Sequence, residues 1–401
     1  MSNVIYDLKK GLRKRVVNIT PVWFAMTMGT GILSILLFNC PYQFNGLQTI
    51  SGVVFGINVV LFVVLLLMTI ARYAIWPSML PLMLVNPVNV FLATLTMGFS
   101  TIIVCIVDFL VPRYGYNFAL LSYVFWYINV AMSIITCIGI PFIQMSRQTL
   151  ENSQIFATAL LPTVSTIVCA STGAAVATVL PENQAIVTIT ICYILLGMGV
   201  PMSLIVLANY TSRLMLFKIP PAAVISSTFI PIGPCGQSAY AILKLARNLT
   251  DIANERGLVP FTSVEDPELA KFAASALQTA SIPFALIIWG FGCLWLALAI
   301  ISFFDTMISK RIPINLSLWG CTFPIGTLAL SAQELGKEMN VTGMKVVSVI
   351  LLITLVIIWL ILMALTFYNG VIRDKWFSSP CLSDAGGTPP SMHDVEFNRK
   401  Y

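Results

Sequence analysis

Charge is scarce in this chain: 9% of its 401 residues are Asp, Glu, Lys or Arg, against roughly 25% in a soluble domain. So few ionic groups cannot cover a folded surface with solvated side chains, so the surface must face lipid. Histidine is nearly missing, with His393 alone in the polar tail, which removes imidazole metal sites and histidine proton relays. The nine cysteines form no CxxC pair. Cys105, Cys137, Cys169, Cys192, Cys235, Cys293 and Cys321 lie inside apolar runs, where a thiol behaves as a small hydrophobe. GxSxG, HExxH and P-loop patterns are missing, and Gly29-Thr30-Gly31 sits within an apolar run rather than after a strand. A soluble-type enzyme, a cofactor and a metal are therefore not expected. Nor is nucleic acid, because the net charge of +6 is spread over short loops.

Long hydrophobic runs are what the chain has instead. A helix needs about 20 apolar residues to cross a bilayer. Ten runs meet that need, at 22–39, 47–71, 87–111, 117–144, 155–180, 185–216, 221–245, 274–305, 315–332 and 346–367. The fold class is all-α integral membrane protein. A basic cytoplasmic segment (1–20) leads into a ten-helix transport unit (21–368), and a polar cytoplasmic tail (369–401) follows. The first run is read as a span and not as a signal peptide, being long and without a small-residue cleavage site. A mixed-charge break is expected at 247–271. With the N-terminus inside, the 22 Lys and Arg divide 15 to 7 in favour of the inner loops, which puts both termini in the cytoplasm. The sequons at Asn248 and Asn340 fall on the outer side.

The odd runs carry a weak repeat: Thr27-Met28-Gly29, Thr96-Met97-Gly98, Ser171-Thr172-Gly173, Pro231-Ile232-Gly233 and Pro324-Ile325-Gly326. Glycine admits close backbone approach and proline frees a carbonyl, so kinked odd helices are expected inside a ring of five helical hairpins. Plain helix packing explains the same glycines, and the spacing does not separate the two readings. Ionic residues sit only near run ends, as Asp108, Lys244, Asp305 and Glu334 do. That argues against a carboxylate clamp built on buried arginine and against a proton pump. Hydroxyls and amides are plentiful in the odd runs: Thr27, Thr30, Ser34, Thr94, Thr96, Ser100, Ser165, Thr172, Ser226, Thr228, Gln237, Ser238, Thr322 and Thr327. Such donors can solvate an anion weakly enough for conduction. Each can also bond back to its own helix carbonyl.

Several of these stretches together resemble a known family. They are Pro21-x-Trp23-Phe24-Ala25-x-x-Met28-Gly29-Thr30-Gly31, Thr96-Met97-Gly98, Lys218-Ile219-Pro220-Pro221, Gly233-Pro234-Cys235-Gly236-Gln237, the run from Leu318 to Thr327 around Thr322-Phe323-Pro324, and Glu334-Leu335. The chain resembles the tellurite-resistance/dicarboxylate transporter family, from about Pro21 to Leu335. The resemblance implies five hairpins around a pseudo-fivefold pore and a homotrimer with one pathway per subunit. It implies export of sulfite or bisulfite across the plasma membrane, for detoxification. The alternatives are a malate or C4-dicarboxylate transporter, a chloride- or nitrate-type channel, and, further off, a receptor-like membrane protein. The implied pathway residues are Thr27, Gly29, Thr30, Thr96, Gly98, Thr172, Gly173, Gly233, Gln237, Thr322 and Gly326, with Phe323 as the gate. Lys244 departs from the family pattern, and an outer vestibule or simple snorkelling would each account for it.

Overall fold

The computed structural model describes residues 11–149, 151–256 and 266–377. Among them, eight helices are long and apolar enough to cross a membrane. In chain order they are α1 (Pro21–Phe38), α2 (Leu47–Ile75), α3 (Pro87–Tyr114), α4 (Tyr116–Arg147), α5 (Ala157–Ala177), α6 (Glu182–Phe217), α8 (Pro267–Ser309) and α10 (Thr342–Ile372). Two more polar helices complete the alternation: α7 (Ile232–Arg256), which follows the turn Ala222–Phe229, and α9 (Thr322–Glu338), which follows Leu316–Cys321.

Odd and even helices have different surroundings. The apolar windows of α1 and α5 are 94% buried and that of α3 72%, against 22–33% for α2, α4, α6, α8 and α10. Every residue from Thr322 to Gly336 of α9 is buried, as is nearly every residue of α7 up to Thr250. The inner helices contact one another in the closed order α1–α3–α5–α7–α9–α1, and each packs against the even helix that follows it in sequence. The result is a ring of five inner helices in five hairpins. The outer faces remain apolar because lipid covers them.

A shared opening shapes the inner helices. Each begins with a 3-10 turn, at Pro21–Trp23, Pro87–Phe91, Ala157–Leu160, Ala222–Phe229 and Leu316–Cys321. Asn86 and Asn315 cap two of these turns, their side chains accepting from the Val88 and Ser317 amides. Prolines 21, 87, 162 and 324 lie in first turns, where the missing N–H costs nothing. The breaks expected in the odd helices thus fall at these opening turns, where Val224 has a non-helical φ of −123°, and not at a mid-helix proline. The mid-helix prolines are Pro141, Pro201 and Pro283, all in even helices; α3 carries Pro112 in its last turn, after the π-helical turn Ile106–Leu110. Two buried arginines hold the leads into the ring. Arg72, at the end of α2, donates to the Ile19 carbonyl before α1. Arg213, near the end of α6, donates to Ser153 O at 3.2 Å before α5 and to Lys218 O at 2.5 Å.

Other expectations shift. The break at 247–271 is largely helix, because α7 runs to Arg256 and α8 starts at Pro267. A helix that leaves the membrane continues in water with charged residues, and hydropathy reads that portion as loop. Asn248 is buried in α7 and donates to Ala174 O at 2.7 Å, so this sequon is closed to a glycan in the folded chain. Asn340 is exposed. The eight described cysteines are free; Cys381, His393 and the tail beyond residue 377 lie outside the described residues. Both described ends meet on one face, where Arg15 Nε lies 2.7 Å from Asp374 Oδ1 and Trp23 stacks on Phe377 at 4.5 Å.

Candidate anion pathway

At the centre of the ring is a cavity of about 20 Å³, room for about one water molecule. All five inner helices line it: Ile32 and Ile35 from α1, Ser100, Thr101 and Val104 from α3, Val168, Ser171 and Thr172 from α5, Gln237 and Tyr240 from α7, and Phe323 and Leu330 from α9. None of these side chains is a cation or a carboxylate. Phe323 is 2% exposed and forms part of the wall one residue into α9, directly after the 3-10 turn.

Most hydroxyls of the inner helices are already committed. Thr27, Thr96, Thr101, Thr172, Thr322 and Thr327 donate to the carbonyls of Phe24, Ala93, Gly98, Val168, Trp319 and Pro324 at 2.8 Å. Thr30 donates to Met26 O and accepts from Trp359 Nε1 at 3.0 Å, so it faces α10. A hydroxyl proton can be given once, so these threonines offer a passing anion none.

Three donors are left, one of them the Tyr240 hydroxyl, which makes no hydrogen bond among the described residues and lines the cavity. Asn129, reaching in from α4, donates its Nδ2 proton to Ser100 Oγ at 2.7 Å. No carbonyl among the described residues takes the Ser100 proton, which is free to turn toward the cavity. Ser171 Oγ lies 2.6 Å from Gln237 Oε1. Ser171 Oγ also lies 2.8 Å from Val168 O, so its one proton is shared between two acceptors; no described acceptor takes the Gln237 Nε2 protons. Ser100 and Gln237 thus bring O–H and N–H donors to the constriction from α3 and α7.

Of the residues expected from sequence, Thr172, Gln237 and Phe323 line this cavity. The others do not line it. Thr322 fills the space over Gly29, and Thr27 the space over Gly98, where an added Cβ would lie 2.5 Å from Thr27 Oγ1. Gly326 meets Ile32, and Gly173 meets Trp126 and Cys192. Thr96 is bonded back to Ala93 O, and Gly233 has no neighbour within 4 Å of an added Cβ. Ser100 is the donor that the resemblance does not point to. The signal for it is Asn129, an amide in the middle of an apolar even helix that needs a partner.

Beyond the constriction the path widens into a vestibule of about 440 Å³ at the C-terminal ends of the inner helices. Val104, Tyr240 and Leu330 line both spaces, and the wider one adds Asn39, Asp108, Lys244, Gln333, Glu334, Lys337, Asn340 and Lys345. Asp108 stands in a π-helical turn, Ile106–Leu110, a distortion often found at functional positions. Because the inner helices are parallel, their positive dipole ends gather at the opposite mouth.

An occluded axial lumen with uncommitted donors and no fixed charge at its narrowest point defines a class: a multi-pass membrane protein with a path for a small polar solute. The chain belongs to the voltage-dependent anion channel family, SLAC1, which matches residues 18–367. It is 35% identical over 359 residues to the sulfite efflux pump SSU1 of Arthroderma otae, covering 89% of this chain and 92% of that one. The sulfite efflux pump SSU1 of Candida albicans is 28% identical, over 80% of this chain and 67% of that one. The malic acid transport protein of Schizosaccharomyces pombe is 23% identical, over 97% and 86%.

Proposed function

We propose that this protein exports sulfite and bisulfite across the plasma membrane, through the centre of the five-helix ring. The observation that carries the reading is the constriction itself: uncommitted donors on Ser100, Gln237 and Tyr240 in an uncharged lumen plugged by Phe323. Weak neutral donors suit rapid passage of a small anion. A C4-dicarboxylate would call for two cationic partners, and the cavity wall has none. The relatives named for sulfite efflux are also more similar to the chain than those named for malic acid transport.

In this reading α7 and α9 cross the membrane with the other eight helices, so residues 21–368 form one transport unit with ten spans. Both ends, 1–20 and 369–401, are cytoplasmic. The Arg15–Asp374 pair supports placing them on the same side, and the 15 to 7 cation split supports the inside. The anion enters at the mouth where the five helix N-termini meet and leaves by the vestibule. The family resemblance supports a homotrimer with one pathway per subunit. Flux into proteoliposomes of sulfite, malate, chloride and nitrate, measured side by side, tests the substrate. Sulfite flux no greater than in protein-free vesicles would refute the reading.

A further inference from the structure

Lys244 is a partly buried cation held only by a long ion pair among the described residues. Its side chain is 19% exposed, and it makes no hydrogen bond among the described residues. Its nearest carboxylate is Glu334, at 3.8 Å from Nζ to Oε1. Charge-assisted N–H···O bonds are about 2.7–2.9 Å, so the two attract without bonding, and Lys244 retains three unspent protons. Glu334 Oε1 is buried and likewise has no hydrogen-bond partner.

The position of Lys244 shows what else it can meet. Gln237, Tyr240 and Lys244 follow one another at helical spacing along one face of α7. Gln237 and Tyr240 line the constriction, and Tyr240 and Lys244 line the vestibule. An anion leaving Gln237 therefore meets Lys244 as the next donor on the same helix. On the other inner helices the vestibule holds Asp108 of α3, already engaged by Asn39 Nδ2 at 3.2 Å, and Glu334 and Lys337 of α9. Lys345, from α10, donates to Asn340 Oδ1 at 3.1 Å. Arg247 and Glu338 pair with each other at 3.7 Å.

We propose that the vestibule is a second anion-binding station, where Lys244 takes a small oxyanion in place of Glu334. The proposal rests on the anion-export reading and adds to it a site with a fixed charge. Glu334 competes with the arriving anion for the same ammonium, so it sets how readily the station fills and empties. No covalent step is involved.

The sign of two substitutions tests this. In proteoliposomes containing the full chain, sulfite flux is measured against sulfite concentration on the vestibule side, per folded molecule. Lys244→Gln should raise the half-saturating concentration about fivefold, the scale of a partly exposed ion pair. Glu334→Gln should lower it, and Lys244→Arg should stay near wild type. A structural ion pair predicts that both Gln variants shift together, so shifts in the same direction, or none, overturn the station while leaving export intact. If Glu334→Gln yields no folded protein, the comparison of Lys244→Arg with Lys244→Gln decides, and equal half-saturation overturns the proposal. Wild-type vesicles without anion flux overturn the export reading and the station together.

Discussion

Replacing Phe323 by alanine sets two physical readings of one residue against each other. As core, a buried phenylalanine truncated to alanine costs about 3–5 kcal/mol, enough to lower the yield and melting temperature of a membrane protein visibly. As a plug, its ring closes a lumen that otherwise has only about 20 Å³ at this level, and its removal opens a route to the 440 Å³ vestibule past Val104, Tyr240 and Leu330. The cavity left behind would border the uncommitted donors of Ser100, Gln237 and Tyr240, so it would fill with water rather than remain an empty apolar void. That reduces the cavity penalty and takes away a steric and dewetting block. If the ring supplies only about 1.4 kcal/mol of the barrier, flux rises about tenfold. The expected result is therefore at least tenfold faster anion flux per folded molecule, with near-normal expression, and an intermediate effect for Phe323→Leu. Flux would be measured in proteoliposomes and stability by thermal melting of the purified protein. Unchanged or slower flux together with a marked fall in melting temperature would return Phe323 to the core and refute the plug.

Gln237→Glu keeps size and shape but places a carboxylate at the constriction, where no wall residue is cationic. Anion flux should fall at least about tenfold at neutral pH, for a repulsive energy above about 1.4 kcal/mol. It should recover as pH falls and the carboxylate is neutralised, whereas flux that does not depend on pH would argue that anions pass elsewhere. Gly236→Ala puts a Cβ 2.6–2.7 Å from the α9 backbone at Thr327 and Leu328. Backbone cannot step aside, so a loss of about 1–3 kcal/mol in stability is expected, read as a lower melting temperature than for Gly233→Ala, where the Cβ meets nothing within 4 Å. Tags on either terminus should be reached by antibody only after permeabilisation of cells, and labelling of intact cells would reverse the topology.

Membrane class, hairpin order and the inner position of the odd helices are all legible in the sequence, because each depends on composition summed over whole segments. The role of Thr27 or Thr322 is not legible in the same way. A threonine that bonds to its own helix and fills a neighbour's glycine notch has the same sequence pattern as one that faces a pore. Only the partner distinguishes them, and Gly98 and Gly29 are those partners. Ser100 shows the reverse case. It becomes a donor to the lumen because Asn129 on a different helix occupies its oxygen, a relation between two residues 29 positions apart. Lys244 is conspicuous in the sequence as a charge, but its use depends on the 3.8 Å that separates it from Glu334.

The distribution of charge along the lumen follows from what an exporter must do. An anion in a narrow, dry constriction loses hydration, and a cation there would restore the lost energy but also hold the ion. Neutral donors at Ser100 and Gln237, with the parallel helix dipoles behind them, lower the cost of entering without creating a trap. Where the lumen widens, water returns and weakens each ion pair, so a cation can attract without retaining. Lys244 stands in that wider space, four residues past Tyr240 on α7, and Glu334 stands beside it as a resident competitor. A narrow neutral passage followed by a wide site with an exchangeable cation gives an anion a reason to move forward and a means of leaving.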